Sequence, residues 1–184
     1  MKPYSRRTST ERRTDRRKSS GLPPGALRPV LASYGAPLLE RSLKAGGKRM
    51  SLEAVLVGGL QAARQDGVLF RSLAVLVAKN QHRLNFSKLI KLAKSQGVGR
   101  ELGVLLELTG KLLDSSWLVR QARGVGLPRA NRPVRTLLIR NAYERQLAEA
   151  RATEITRRWK VAMNVSEESL GELLRKHYPE AVVV

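Results

Sequence analysis

Along most of the chain after residue 22, apolar side chains recur every three or four positions, the spacing of helices that bury one face. The clearest case runs through Leu102, Leu105 and Leu106. We therefore predict a mainly α protein, a compact array of short helices, with one short strand or extended segment over residues 134–139. Side chains suited to capping a helix N-terminus precede several apolar segments, and these are Ser51, Asn85, Ser115 or Ser116, Thr153 and Ser166.

Three details of the pattern leave room for alternatives. The dense apolar run Val68–Ala78 fits a buried helix or a strand, and its Leu and Ala content and helical surroundings favour a helix. Pro37 is suited to the first position of a short second helix that would end at two glycines, 46 and 47. Gly58 and Gly59 lie inside a predicted helix, where we expect them to mark close packing against a neighbour.

The chain divides into a basic tail and one helical domain. Residues 1–22 contain eight lysines and arginines, two acids and few apolar side chains, so the segment carries a net charge of +6 and is predicted to be disordered. It acts either as a solubilising tail or as a basic arm for nucleic acid. Residues 23–184 form the predicted domain. The candidate contacts in the tail are Arg12, Arg13, Arg16 and Arg17.

Charge is the strongest functional indication in the composition. The 35 lysines and arginines against 15 acids give a formal net charge of +20, which destabilises a compact monomer unless an anionic partner is near. Nucleic acid is the first candidate partner, an acidic protein or a membrane surface the next. The absence of cysteine excludes disulfides and thiol-ligated zinc. Only two histidines, His82 and His177, are available, which argues against an all-protein metal site.

Two acid-free intervals contain the best candidate binding residues. The first lies between Asp66 and Glu101, where Lys88, Lys91 and Lys94 occupy one arc of a predicted helix opposite its apolar face. Such a stripe is either an ordinary solvated face or a binding face, and the missing acids favour binding. The second interval runs over residues 115–143 and has arginine as its only cation, a side chain whose planar fork suits phosphate and carboxylate. Its members are Arg120, Arg123, Arg129, Arg132, Arg135 and Arg140.

A third candidate is the group around Trp159, which lies beside Arg157, Arg158 and Lys160. It could stack a base and bind its phosphate, but a tryptophan in a helical pattern is more often a core anchor, and we favour that interpretation.

Nothing in the sequence indicates catalysis or a membrane span. There is no phosphate-binding glycine loop and no local nucleophile–base pair, so we predict a non-enzymatic protein without metal or cofactor. The uncharged stretch Ala54–Ala63 has ten residues, whereas a spanning helix needs about 20. The basic N-terminus lacks the apolar region of a secretory signal. We therefore expect a soluble, cytoplasmic protein that does not bind membranes.

Three motifs resemble a known group of proteins: LNFSKL at 84–89, GRELGVLLELTG at 99–110 and TRRWKVAMNVS at 156–166. Over residues 84–115 and 153–177 the chain resembles small bacterial proteins encoded beside nucleotidyltransferase toxins of the abortive-infection E kind. The basic tail is outside that pattern. The resemblance implies an antitoxin or accessory partner of a cognate nucleotidyltransferase, whose acidic, metal-binding cleft a basic protein could occupy. The alternative is a DNA- or RNA-binding protein, either a repressor or a ribosome-associated factor. The oligomeric state stays open.

Overall fold

The computed structural model describes residues 24–38 and 50–179, and these residues form nine helices and one two-stranded sheet. The prediction of a mainly α fold is therefore confirmed, whereas the predictions for the basic tail concern residues outside the described ranges. The elements in chain order are α1 (Pro24–Ser33), α2 (Leu52–Ala62), α3 (Gly67–Asn80), α4 (Phe86–Ser95), α5 (Gly99–Leu112), α6 (Ser116–Val125), β1 (Arg135–Leu137), α7 (Ala142–Ala150), α8 (Glu154–Trp159), β2 (Val161–Met163) and α9 (Glu167–His177).

Side-chain caps begin most of these helices where the sequence predicted them. In each case the cap oxygen accepts a hydrogen bond from the backbone N–H three residues later, which satisfies one of the unpaired N–H groups of the first turn. The five predicted caps that do this are Ser51, Asn85, Ser115, Thr153 and Ser166.

Close contacts at two glycines bring neighbouring helices together. A Cβ at Gly59 of α2 would lie 2.7 Å from a methyl carbon of Leu73 in α3, so the predicted close packing is confirmed there. A Cβ at Gly103 of α5 would overlap the indole ring of Trp159. Trp159 is only 1% exposed and its ring N–H donates to Glu107 at 2.5 Å, so Trp159 is a core anchor. Helix α5 is buried throughout residues 101–110 and forms the centre of the core.

Three details differ from the sequence-based expectation. Pro37 and Leu38 are not helical, and the rest of the second helix predicted to start there lies outside the described residues. The two glycines and two prolines of residues 124–133 predict a loop over that range, but helix α6 continues to Val125, so the loop starts two residues later. Strand β1 does form within 134–139, but its parallel partner β2 was not predicted, and Arg135 pairs in register with Val161.

Candidate anion-binding site

A concave site of about 300 Å³ lies between the end of α4, the start of α5 and the loop from α6 to β1. Five cationic residues and no carboxylate line it, and we call it the arginine cavity. Its cations are Lys94, Arg100, Arg129, Arg132 and Arg135. All five lie in the two acid-free intervals, and four of them, all but Arg100, were singled out as candidate binding residues. The fold has thus brought the two intervals together.

Two glycines with left-handed backbone shape the rim of this cavity. Gly97, at φ +69°, turns the chain from α4 into α5, and Gly126, at φ +85°, ends α6 and starts the loop. A Cβ at either position would meet nothing within 4 Å, so the backbone conformation rather than lack of space requires glycine there. Lys94 precedes the first turn and the loop arginines follow the second, and all of them line the cavity.

The loop is held by two cations that donate to its backbone. Arg100 Nη1 donates to the carbonyl of Pro133 at 2.6 Å. Lys160 Nζ donates to the carbonyls of Ala130 and, at 3.2 Å, Arg132. Lys160 follows α8 in a left-handed conformation at φ 52°. These bonds fix the loop backbone, and the arginine side chains that the loop carries remain exposed.

Arg135, which lines the cavity, shares a buried carboxylate outside the cavity lining with Arg64. Glu101 is fully buried, and Arg135 Nη1 donates to its two oxygens at 2.9 and 3.2 Å. Arg64 Nε donates to Glu101 Oε1 at 3.0 Å. Both guanidinium groups also donate to the carbonyl of Gly97, at 2.6 Å from Arg135 and 3.0 Å from Arg64. Arg135 is thus held by Glu101 and the Gly97 carbonyl, and Glu101, which it shares with Arg64, offsets part of its charge.

The remaining cavity charge is not offset. Within the described residues, the side chains of Lys94, Arg129 and Arg132 form no ion pair or hydrogen bond. Burial lowers the pKa of Arg100, and repulsion from Arg135 and Arg132 lowers it further, against the opposing effect of Glu101. Arginine stays protonated at any physiological pH. The repulsion from Arg135 and Arg132, the smaller cause after burial, reflects positive charge around Arg100 that a bound anion would offset.

The start of α5 adds unpaired backbone donors to this environment. Its N-cap residue Val98 supplies no side-chain hydrogen bond, whereas the caps of the seven other helices from α2 onward do. Gly99 and Arg100, the first two residues of α5, line the cavity. Helix N-termini carry a partial positive charge and free N–H groups, so this end of α5 favours an anion.

The lysine stripe on α4 is exposed as predicted, but only its last member reaches the cavity. Lys88, Lys91 and Lys94 face solvent opposite the buried Phe86 and Leu89, together with Ala93. Lys88 Nζ pairs with Glu53 at 3.1 Å. That glutamate is 6% exposed, so Lys88 has a partner within the domain.

The other predicted cations lie elsewhere on the surface. Arg120 and Arg123 line a second cavity, of about 540 Å³, together with Lys111 and Asp114. Arg140 donates to the carbonyl of Gln65 at 3.0 Å. Arg157 is exposed on α8. Arg158 pairs with Glu107 and Glu154, and Arg12, Arg13, Arg16 and Arg17 lie outside the described residues.

One cation of the cavity, Arg100, was missed as a candidate, and Lys160, which holds the cavity loop, was named only as a neighbour of Trp159. Arg100 lies in the first acid-free interval, and a cation in the first turn of a helix opposes the usual dipole preference, which was an available signal. Lys160 gave no such signal, because its role depends on the β1–β2 pairing that brings it to the loop.

Neither the other side chains of the described residues nor comparison with known proteins points to a particular function. In the parts of the chain that the structure describes, no three His, Cys, Asp or Glu side chains cluster as metal ligands would. None of the helices in residues 24–38 and 50–179 has the length and apolar character needed to cross a bilayer. No family model, curated protein or solved structure matches this chain.

Proposed function

We propose that this protein is a non-enzymatic, antitoxin-like partner that binds the acidic surface of a nucleotidyltransferase-type toxin through the face around the arginine cavity. The observation that carries the proposal is the convergence of five cationic residues from three segments on one concave site without a lining carboxylate. Such a site complements an acidic, metal-binding cleft, and electrostatic complementarity gives both specificity and fast association.

The segments that resemble antitoxins support this proposal because they pack on each other. Trp159, from the later segment, packs against Gly103 and bonds to Glu107 in the earlier one. Lys111 of α5 pairs with Glu167 of α9 at 2.6 Å. The earlier segment also supplies Lys94 and Arg100 to the cavity, whereas Arg129, Arg132 and Arg135 come from the residues between the two segments.

Exposed apolar side chains in the loop favour a protein as the partner. Leu127 is 55% exposed and Val134 is 61% exposed, and both lie in the segment that carries Arg129 and Arg132. Interfaces between proteins combine arginine with apolar side chains that lose water on binding, whereas phosphate groups gain nothing from aliphatic neighbours.

Co-expression with the nucleotidyltransferase-type protein encoded beside this one tests the proposal. We expect this protein to relieve the toxicity of that neighbour and to copurify with it. The double variant Arg129→Glu, Arg132→Glu should lose both effects. The matched control Arg145→Glu, Arg151→Glu reverses two exposed arginines around α7 and should retain both. A neighbour that is harmless alone, or that does not copurify, contradicts the proposal.

Nucleic acid is the second candidate partner, and the unpaired state of Lys94, Arg129 and Arg132 within the described residues favours it. Each phosphate that a protein neutralises contributes about 0.9 to the slope of log K against log salt on duplex DNA and about 0.7 on single strands. Binding that is indifferent to salt would contradict this candidate. Cosedimentation with ribosomes would distinguish an RNA-associated factor from a repressor.

A further inference from the structure

We propose that the arginine cavity is a binding site for a phosphate monoester, from either a free nucleotide or a terminal phosphate of a nucleic acid. This role goes beyond the capture of a protein partner and does not depend on it.

The shape of the cavity favours a terminal phosphate over an internal one. At about 300 Å³ the cavity is at the small end of the range for small-molecule sites, about 300–1,000 Å³. It has room for a phosphate and the group attached to it. An internal phosphate is attached to a nucleotide on each side, so the polynucleotide would have to bend into the cavity to place it there. A terminal phosphate is attached on one side only and can enter without such a bend.

The charge of the site selects a monoester over a diester. A phosphate monoester carries about −1.5 to −2 at pH 7 and has three free acceptor oxygens, whereas a backbone diester carries a single charge. Arg129 and Arg132 offer two guanidinium forks with no partner among the described residues, and Lys94 adds a third uncompensated charge. Arg100 contributes a further charge while its Nη1 donates to Pro133.

The site is organised before any ligand arrives. Arg100 and Lys160 hold the loop backbone through the carbonyls of Pro133 and Arg132. Arg135 is fixed by Glu101. Little backbone ordering therefore remains as a cost of binding, which favours a small ligand with few contacts. The unpaired N–H groups at the start of α5 add donors to a site that the arginines already define.

Binding of labelled single-stranded oligonucleotides to the full chain tests the proposal. We expect a 5′-phosphorylated oligonucleotide to bind at least tenfold more tightly than the same sequence with a 5′-hydroxyl. A 5′-hydroxyl oligonucleotide two nucleotides longer controls for charge, because it carries its additional phosphates as diesters, and it should bind as weakly. Competition by a nucleoside monophosphate would indicate a free nucleotide as the ligand. Competition by phosphorylated oligonucleotides alone would indicate a nucleic-acid end.

Variants at Gly99 test whether the 5′-phosphate preference arises in the arginine cavity. A Cβ there meets only side-chain carbons of Lys94 and Val125 at 3.7 Å, an ordinary contact, so side chains are accommodated. Gly99→Glu puts a carboxylate into the cavity and suits the first turn of a helix. Gly99→Gln has nearly the same shape without charge. We expect the Glu variant to lose the 5′-phosphate preference completely and the Gln variant to lose it a few-fold at most. Circular dichroism checks that both fold.

Arg132→Gln should also abolish the 5′-phosphate preference, whereas Arg120→Gln, which removes the same charge outside this cavity, should not. Two results would overturn the proposal: equal affinity of the wild-type protein for phosphorylated and hydroxyl ends, or a preference that survives Gly99→Glu and Arg132→Gln. The first result would leave both antitoxin activity and general nucleic-acid binding intact, so it is distinguishable from their failure.

Discussion

Glu101 connects the stability of the fold to the geometry of the arginine cavity. It is fully buried, and its two guanidinium partners, Arg64 and Arg135, also bind the carbonyl of Gly97 at the cavity rim. We expect Glu101→Gln to lower the free energy of unfolding by about 3 kcal/mol, because two arginines lose their counter-charge. This free energy is at the lower end of the range for the loss of one partner of a buried ion pair. Both arginines are partly exposed, so water can solvate them once the carboxylate is gone. Urea unfolding followed by circular dichroism measures it.

Glu154 provides the control for this prediction. Its side chain is 89% exposed and pairs with Arg158 one helical turn away. Exposed pairs of this kind contribute about 0.3–0.5 kcal/mol, so Glu154→Gln should change the free energy of unfolding by no more than that. Equal effects of the two substitutions would mean that the ion pairs of Glu101 stabilise the fold no more than an exposed pair does.

The buried carboxylate of Glu53 makes stability depend on pH. Burial alone would raise its pKa, but a hydrogen bond from the Asn85 N–H and the pairing with Lys88 lower it to about 2. A carboxylate whose pKa is lower in the folded state stabilises the fold above its unfolded pKa of about 4.5, and this contribution disappears as pH falls towards 2.

We therefore expect Glu53→Gln to cost up to about 3 kcal/mol of unfolding free energy at pH 6. The difference from the wild type should shrink steadily as pH falls from 5 to 2. Chemical unfolding of both proteins at several pH values measures the difference. A difference that stays constant over this range would show that the ionisation of Glu53 does not contribute.

At the residue scale, the sequence predicted where uncompensated positive charge would lie better than it predicted what each charged side chain contacts. The acid-free intervals identified Lys94, Arg129 and Arg132, and their uncompensated charge follows from the lack of local acids. The pairing of Lys88 with Glu53 joins residues 35 positions apart and depends on the packing of α2 against α4. Pairings of that kind have no trace in local sequence.

At the scale of elements, two glycines within helices have opposite roles. A Cβ at Gly103 overlaps the ring of Trp159, whereas a Cβ at Gly58 meets only a methyl carbon of Leu27 at 3.5 Å. We expect Gly103→Ala to destabilise the protein by about 2 kcal/mol through overpacking of α5 against α8. Gly58→Ala should stabilise it by about 0.5–1 kcal/mol, because alanine loses less backbone entropy in a helix. Thermal unfolding measures both, and a stabilising Gly103→Ala would contradict the close packing.

Most helices and the position of strand β1 were predictable from this sequence, whereas strand β2 and its pairing with β1 were not. Capping side chains and apolar periodicity act within a few residues, so Ser51, Asn85 and Ser166 mark helix starts directly. Strand β2 has three residues, too few for an alternating pattern, and its partner β1 lies 26 positions earlier in register. The turn that starts β2 depends on Lys160 in a left-handed conformation. The residue type does not predict this, because lysine seldom adopts that conformation.

Lys160 also tests how the cavity loop is held. Its ammonium group donates to the carbonyls of Ala130 and Arg132, so Lys160→Met should release residues 126–134 and speed their amide hydrogen exchange. Exchange within α5 should remain slow. Lys91→Met is the matched control, because Lys91 is an exposed lysine on α4 that does not line the cavity. Unchanged exchange in the loop of the Lys160→Met variant would show that Arg100 alone suffices to hold it.

For the molecule as a whole, we expect anion binding to depend more on where the cations lie than on the net charge. The formal net charge is +20. The ion pairs among the described residues involve six acids, Glu53, Asp66, Glu101, Glu107, Glu154 and Glu167, and several of these acids hold cations in structural positions. The cations of the arginine cavity that lack such partners are therefore the ones available to an external anion.

Two variants of equal charge separate placement from total charge. One replaces Lys94, Arg129 and Arg132 with glutamine and the other replaces Arg12, Arg13 and Arg16, so each lowers the net charge from +20 to +17. If the cavity cations contact phosphates, the slope of log K against log salt for a single strand should fall by about 2 in the first variant. Its affinity should be at least tenfold below that of the tail variant at equal salt. Equal losses would mean that the partner responds to overall charge, because the two variants differ only in where three cations lie.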